Sequence, residues 1–132
     1  MKIQKRRRFA SLLGATLAMS ALFAASGPVA AAHIEVQREG NCSGNADWRL
    51  EVEHEDSGLQ VDLRIRQDDQ AGRVWEIRMR QNGVRFFNET RTTNQDGEIR
   101  IRRQRPNTAG DDTFFFKAIG PNDQVCRGSV TI

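Results

Sequence analysis

From Trp48 onward the chain alternates between apolar and charged residues at almost every step, and a period of two is the signature of extended strands with one dry face and one wet face. In Trp48 to Glu55, Trp48, Leu50, Val52 and His54 share one side, while Arg49, Glu51, Glu53 and Glu55 share the other. In Leu59 to Gln67, Leu59, Val61, Leu63 and Ile65 alternate with Gln60, Asp62, Arg64 and Arg66. A two-residue link at Asp56-Ser57 sets Leu50 against Leu63, Val52 against Val61 and His54 against Leu59. All the apolar side chains then fall on one face, as a hairpin register requires.

The same pattern continues to the C-terminus. Arg73 to Gln81 turns Trp75, Ile77 and Met79 inward. Asn82-Gly83 suits a type I′ turn, because both central residues need positive φ. The return strand, Val84 to Thr90, then sets Met79 opposite Phe86 inside and Arg78 beside Phe87 outside, placed for a cation–π pair. Gly97 to Arg103, Thr113 to Ile119 and Gln124 to Ile132 complete seven strands, and an eighth, short edge strand is expected around Ile34–Val36. Asp68–Gly72, Thr92–Gly97, Pro106–Asp112 and Gly120–Asp123 read as loops. The expected fold class is therefore all-β, with two antiparallel sheets packed face to face.

The first thirty residues carry a different message. Lys2, Lys5, Arg6, Arg7 and Arg8 precede an apolar stretch from Phe9 to about Ala25, and Gly27, Pro28 and the small-residue run Val29 to Ala32 follow. That order is the anatomy of a cleavable secretory signal peptide, with the cut after Ala31 or Ala32. Arg6-Arg7-Arg8-Phe9 partly matches the twin-arginine motif, but Lys5 and Ala10 depart from it, which favours the general route. The expected division is a signal peptide over 1–32 and one sandwich domain over 33–132, secreted and with no membrane attachment after cleavage.

Cleavage also reverses the charge. The whole chain is +3, but five of its 20 basic residues and none of its 17 acidic ones lie in the export segment, so the remainder is net −2. The high isoelectric point belongs to the tag and gives no support to a nucleic-acid partner. A domain of about 100 residues has a marginal core and gains from a covalent staple in an oxidising compartment. Cys42 and Cys126 are the only cysteines, near the two ends of the exported part, and are expected to form a disulfide.

With the strands laid out, the chain resembles immunoglobulin-like and fibronectin-III-like sandwiches over about Trp48 to Ile132. The resemblance rests on Trp75 in the third of the strands counted from Trp48. It rests also on the run Asn107-Thr-Ala-Gly-Asp-Asp-Thr-Phe-Phe-Phe-Lys-Ala118, followed by Gly120-Pro-Asn-Asp123 and the final strand. It implies a two-sheet immunoglobulin-like sandwich of seven to eight antiparallel strands. The corner of such domains usually carries Tyr; this chain has no Tyr, so Phe114, Phe115 or Phe116 must serve there without a hydroxyl. With its signal, and with 14 Arg to a single Lys after it, the chain also resembles small secreted proteins of unassigned role from high-GC actinobacteria.

No catalytic set is legible, so the chain is read as no enzyme. Nucleophilic catalysis needs a base within reach of Ser, Thr or Cys, and the exported part has only His33 and His54. Zinc or copper needs more nitrogen and sulfur ligands than these. Asp68-Asp69 and Asp111-Asp112 lack the spacing of a calcium loop and suit ordinary turns. No metal and no cofactor is expected.

The surface offers more. Arg64, Arg66, Arg78, Arg80, Arg100 and Arg102 all point outward, and Phe87 and Phe115 fall out of phase with the core and are expected to be exposed or half covered. Arginines with exposed aromatics are what binding surfaces favour. Against this, Glu51, Glu53, Asp62, Glu76 and Glu98 stand on the same outward positions and can neutralise the arginines; loops Asp68–Gly72 and Pro106–Asp112 are the other recognition candidates. The leading functional expectation is a monomeric, exported interaction module for an extracellular protein or a cell-wall component. A small-molecule carrier and an extracellular protease inhibitor are the alternatives.

Overall fold

The computed structural model describes residues 33–132, together with Gly27. The signal-peptide expectation, 1–32, lies outside the described residues apart from that glycine. Eight strands follow in order: β1 (Glu35–Asn41), β2 (Asp47–Glu55), β3 (Gly58–Arg66), β4 (Val74–Gln81), β5 (Val84–Thr92), β6 (Glu98–Arg105), β7 (Thr113–Ile119) and β8 (Val125–Thr131). One 3₁₀ turn, Pro121–Asp123, precedes β8.

The strands form two four-stranded antiparallel sheets, ordered β1-β2-β3-β6 and β5-β4-β7-β8. This is the expected all-β sandwich, and its architecture is compatible with an immunoglobulin-like fold. The inner faces supply one core: Trp48, Leu50, Val52, Leu59, Val61, Leu63 and Ile65 from β2 and β3 meet Trp75, Ile77, Met79, Phe114, Phe116 and Ala118 from β4 and β7. Trp48 and Phe116 interlock edge to face across the sheets, with ring centroids 5.0 Å apart. Among the described residues no helix is long and apolar enough to cross a membrane.

The β2–β3 register is the one the alternation requires, with Leu50 opposite Leu63, Val52 opposite Val61 and His54 opposite Leu59. Asn82 and Gly83 both take positive φ, 49° and 82°, as the type I′ turn demands. The first strand is longer than expected, running on from Glu35 to Asn41 along β2.

The β4–β5 hairpin differs from the sequence reading. Gln81 pairs with Val84 and Arg80 with Arg85, but Met79 pairs with Phe87, so Phe86 is an extra residue on β5. This β-bulge shifts every later side chain of β5 to the opposite face. Met79 therefore lies opposite Phe87, not Phe86, and Arg78 faces Asn88, not Phe87. Phe87 is 4% exposed and belongs to the core, which corrects its expected place on the surface.

The bulge also turns Glu89 and Arg91 to the side of Ile77 and Trp75. On β6, Arg103 and Arg105 continue the inward positions of Ile99 and Ile101. These charges close the flank where the edge strands β5 and β6 run out. Arg103 and Arg91 lie over the Phe87 ring at 4.9 and 5.6 Å, and Arg105 lies over Phe86 at 4.5 Å. Inward-pointing charges and a bulge at an edge obstruct pairing with a further strand.

The other flank is stapled. Cys42 and Cys126 form a disulfide that joins the end of β1 to β8 across 84 residues. Ser43 N–H donates to the Val125 carbonyl and Val125 N–H to the Ser43 hydroxyl, at 2.8 and 2.9 Å. The buried Gln124 amide accepts from Ala46 N–H (2.8 Å) and donates to Gln67 (3.0 Å), tying three loops at this end.

Candidate functional site

The six outward arginines do not share a face. Arg64 and Arg66 on β3 and Arg100 and Arg102 on β6 stand on the outer face of the β1-β2-β3-β6 sheet. Arg78 and Arg80, on β4, stand with Phe115 of β7 on the outer face of the other sheet, on the opposite side of the molecule. Phe87 is between the sheets. Alternation fixes inward against outward, but it does not tell which sheet a strand joins.

On the first sheet the arginines are taken up by carboxylates. Asp62 accepts from both neighbours: Arg100 Nη2 lies 2.7 Å and Arg102 Nη2 2.9 Å from its Oδ2. Partial burial opposes ionisation of Asp62, but the hydrogen bonds and charges of Arg100 and Arg102 outweigh it and hold its carboxyl below the ordinary range. Arg64 pairs with Glu98 at 3.4 Å, and Arg66 with Asp47 and Asp68 at 3.5 and 3.7 Å. A shallow polar depression beside them is lined by Glu39, Asp47, Arg49, Arg64 and Arg66. This face is a mosaic of mutual neutralisation.

The second sheet is different. Its outer face carries Arg78 and Arg80 of β4, Arg85 of β5, Lys117 of β7 and Arg127 of β8, all exposed. The only carboxylate at an outward strand position there is Glu76, which pairs with Arg78. Among the described residues, Arg80, Arg85, Lys117 and Arg127 have no carboxylate within ion-pair distance.

The register brings like charges together. Arg78 lies directly opposite Lys117, Lys117 opposite Arg127, and Arg80 opposite Arg85. Like charges at directly opposed positions cost stability. Beside Arg80 stands Phe115, 39% exposed. The sequence reading found Arg78, Arg80 and Phe115 but missed Arg85, Lys117 and Arg127. All three were readable as outward positions of their strands, since the bulge at Phe86 leaves the Arg80–Arg85 pairing as the Asn82-Gly83 turn requires.

The two histidines are set apart. His33 Nε2 lies 2.9 Å from a Glu53 carboxylate oxygen and 3.7 Å from one of Glu35, and these three side chains could offer ligands to a metal ion at the exposed start of β1. His54 sits half buried at the end of β2, with Nδ1 3.4 Å from the Asn107 amide.

Asp112, by contrast, is consumed by the fold. It is 1% exposed. Its Oδ1 accepts from Gln81 Nε2 (2.9 Å), Asn82 Nδ2 (2.8 Å) and the Thr108 hydroxyl (2.7 Å), and its Oδ2 from Thr108 N–H (2.9 Å). Burial alone would raise its pKa, but the bonds from Thr108, Gln81 and Asn82 prevail and lower it to about 2. Asp112 also exchanges backbone hydrogen bonds with Ile132, both 3.0 Å. The corner that leads into β7 is therefore held by a buried carboxylate, while Phe114 and Phe116 go to the core.

The fold and surface thus define a disulfide-stapled β-sandwich with one neutralised and one cationic outer face. No family model, curated protein or solved structure matches this chain.

Proposed function

We propose that this chain is an exported, non-catalytic binding module of immunoglobulin-like or fibronectin-III-like type. The observation that carries this reading is the outer face of the β5-β4-β7-β8 sheet. There an exposed Phe115 stands among Arg78, Arg80, Arg85, Lys117 and Arg127, with Glu76 the single carboxylate at the outward strand positions of that face. A fold gains nothing from setting like charges opposite one another, so a partner that neutralises them is the economical reason for the arrangement. Export is supported by the basic-apolar-small order of residues 1–32 and by the Cys42–Cys126 disulfide, which belongs to an oxidising compartment. The type is supported by Trp75, which β4 buries in the core.

The chain acts on this reading as a monomer that docks through a sheet face onto an extracellular protein or a cell-wall component. The test is capture from culture supernatant and cell-envelope extract by full-length protein recovered from the medium, wild type against Phe115→Ala and Arg78→Ala. Loss of a partner in both variants supports the reading. An identical set of partners in all three proteins rejects the face.

A further inference from the structure

The cationic face has a shape that narrows the choice of occupant. Its charges lie in two adjacent rows that cross the strands: Arg78-Lys117-Arg127, and Arg85-Arg80 continuing through Phe115 to Ser129. The next row on one side is Thr90-Glu76-Ile119-Val125, where the only acidic side chain of the face stands. On the other side β7 and β8 end at Thr113 and Thr131. With strands about 4.8 Å apart and outward residues about 7 Å apart along a strand, the rows form a band about 14 Å long and one row-spacing wide.

We propose that this band binds a single extended chain of a linear anionic polymer of sugar or polyol units, one that carries phosphodiester links or carboxylate groups at regular intervals along its length. The inference rests on the binding role proposed above and names its partner. Four of the five cations are arginines, whose planar guanidinium suits phosphate and carboxylate oxygens. Cations spaced along a line match a polymer whose charges recur along its length. Phe115, in line with Arg80, offers a flat apolar plate for the C–H face of a sugar ring. A protein partner fits less well, because the centre of a protein interface is poor in charge and rich in apolar contact, and here cations occupy the centre around one aromatic ring. An anionic bilayer would press on the whole sheet, including Glu76, whereas the cations are confined to a strip.

The experiment is binding of the purified exported protein to immobilised poly(glycerol phosphate) and to polygalacturonate, with dextran as the neutral polymer. Single-stranded DNA and vesicles of phosphatidylglycerol with phosphatidylcholine form the competing arms. The inference expects retention on one or both anionic polymers, none on dextran, and a steep loss as salt rises from about 50 to about 200 mM. Arg80→Gln/Lys117→Gln, which relieves repulsion and so does not endanger folding, weakens retention at least about tenfold. Arg49→Gln/Arg64→Gln, which removes the same charge from the opposite sheet, leaves it within about twofold. Phe115→Ala weakens binding to polygalacturonate, whose sugar rings stack on Phe115, more than binding to poly(glycerol phosphate), which has no ring to stack.

Equal losses in the two double variants would overturn the inference, as would stronger binding to DNA or vesicles than to either polymer. Absence of polymer binding together with capture of a protein that depends on Phe115 and Arg78 would also overturn it, while leaving the binding module standing. If neither the polymers nor any captured partner depends on this face, both readings fall.

Discussion

Gly128 of β8 lies so close to the Trp48 indole that a Cβ added there would come within 2.2 Å of Cη2. The ring has little room to retreat, because it is buried and wedged edge-on against Phe116. Gly128→Ala therefore overpacks the contact between the sheets and should cost about 1 to 3 kcal/mol. Urea unfolding should show a lower midpoint with an unchanged slope. A midpoint equal to wild type would mean that β8 can move off the indole at no cost.

The disulfide should be a major contributor to stability. It closes a loop of 84 residues, and in the chain-entropy account such a link is worth about 4 kcal/mol. Cys42→Ala/Cys126→Ala should lower the thermal midpoint by many degrees while keeping the β-rich circular dichroism of a folded sample at low temperature. The hydrogen bonds between the 42–46 turn and β8 remain to hold that flank. A double variant as stable as wild type would show that those bonds alone suffice.

The strands, their faces, two turns and the cysteine pairing were legible because each rests on local chemistry: alternation, an Asn-Gly pair, and two cysteines in a chain with an export-like start. What stayed hidden depends on partners far away in sequence. Nothing local tells that β3 pairs with β6 while β4 pairs with β7, and that division scatters the outward arginines over two faces. The bulge at Phe86 is equally silent. Phe86 and Phe87 are alike in composition, and their roles are decided by Arg105 over one, Arg91 and Arg103 over the other, and the Met79 opposite. Asp112 reads as turn chemistry until Gln81, Asn82 and Thr108 converge on it.

Asp112 should make the fold acid-sensitive. Its folded pKa, about 2, lies below the roughly 3.9 of an unfolded aspartate. A depressed carboxylate stabilises the fold above its unfolded pKa, and that contribution fades as pH falls from about 4 toward 2. The shift corresponds to about 2 to 3 kcal/mol. Asp62 and other carboxylates titrate nearby, so the quantity to measure is the difference between wild type and Asp112→Asn in urea at pH 5 and at pH 2.5. The variant should be less stable at pH 5, and the gap should shrink at pH 2.5. A gap independent of pH would show that the carboxylate charge at this corner does not stabilise the fold.

Phe87 and Phe115 look interchangeable in the sequence, each an aromatic out of phase with its strand, yet the bulge separates their fates. Phe87 is buried under two guanidinium groups and against the core, so Phe87→Ala should leave a cavity and cost about 3 to 5 kcal/mol. Phe115→Ala removes a ring from an exposed sheet face and should change stability by no more than about 0.5 kcal/mol. Paired denaturation curves decide the matter. Comparable losses from the two substitutions would place Phe87 back on the surface and remove the bulge from the β4–β5 hairpin. The predicted contrast would leave Phe115→Ala as a variant whose loss of binding is read on a folded protein.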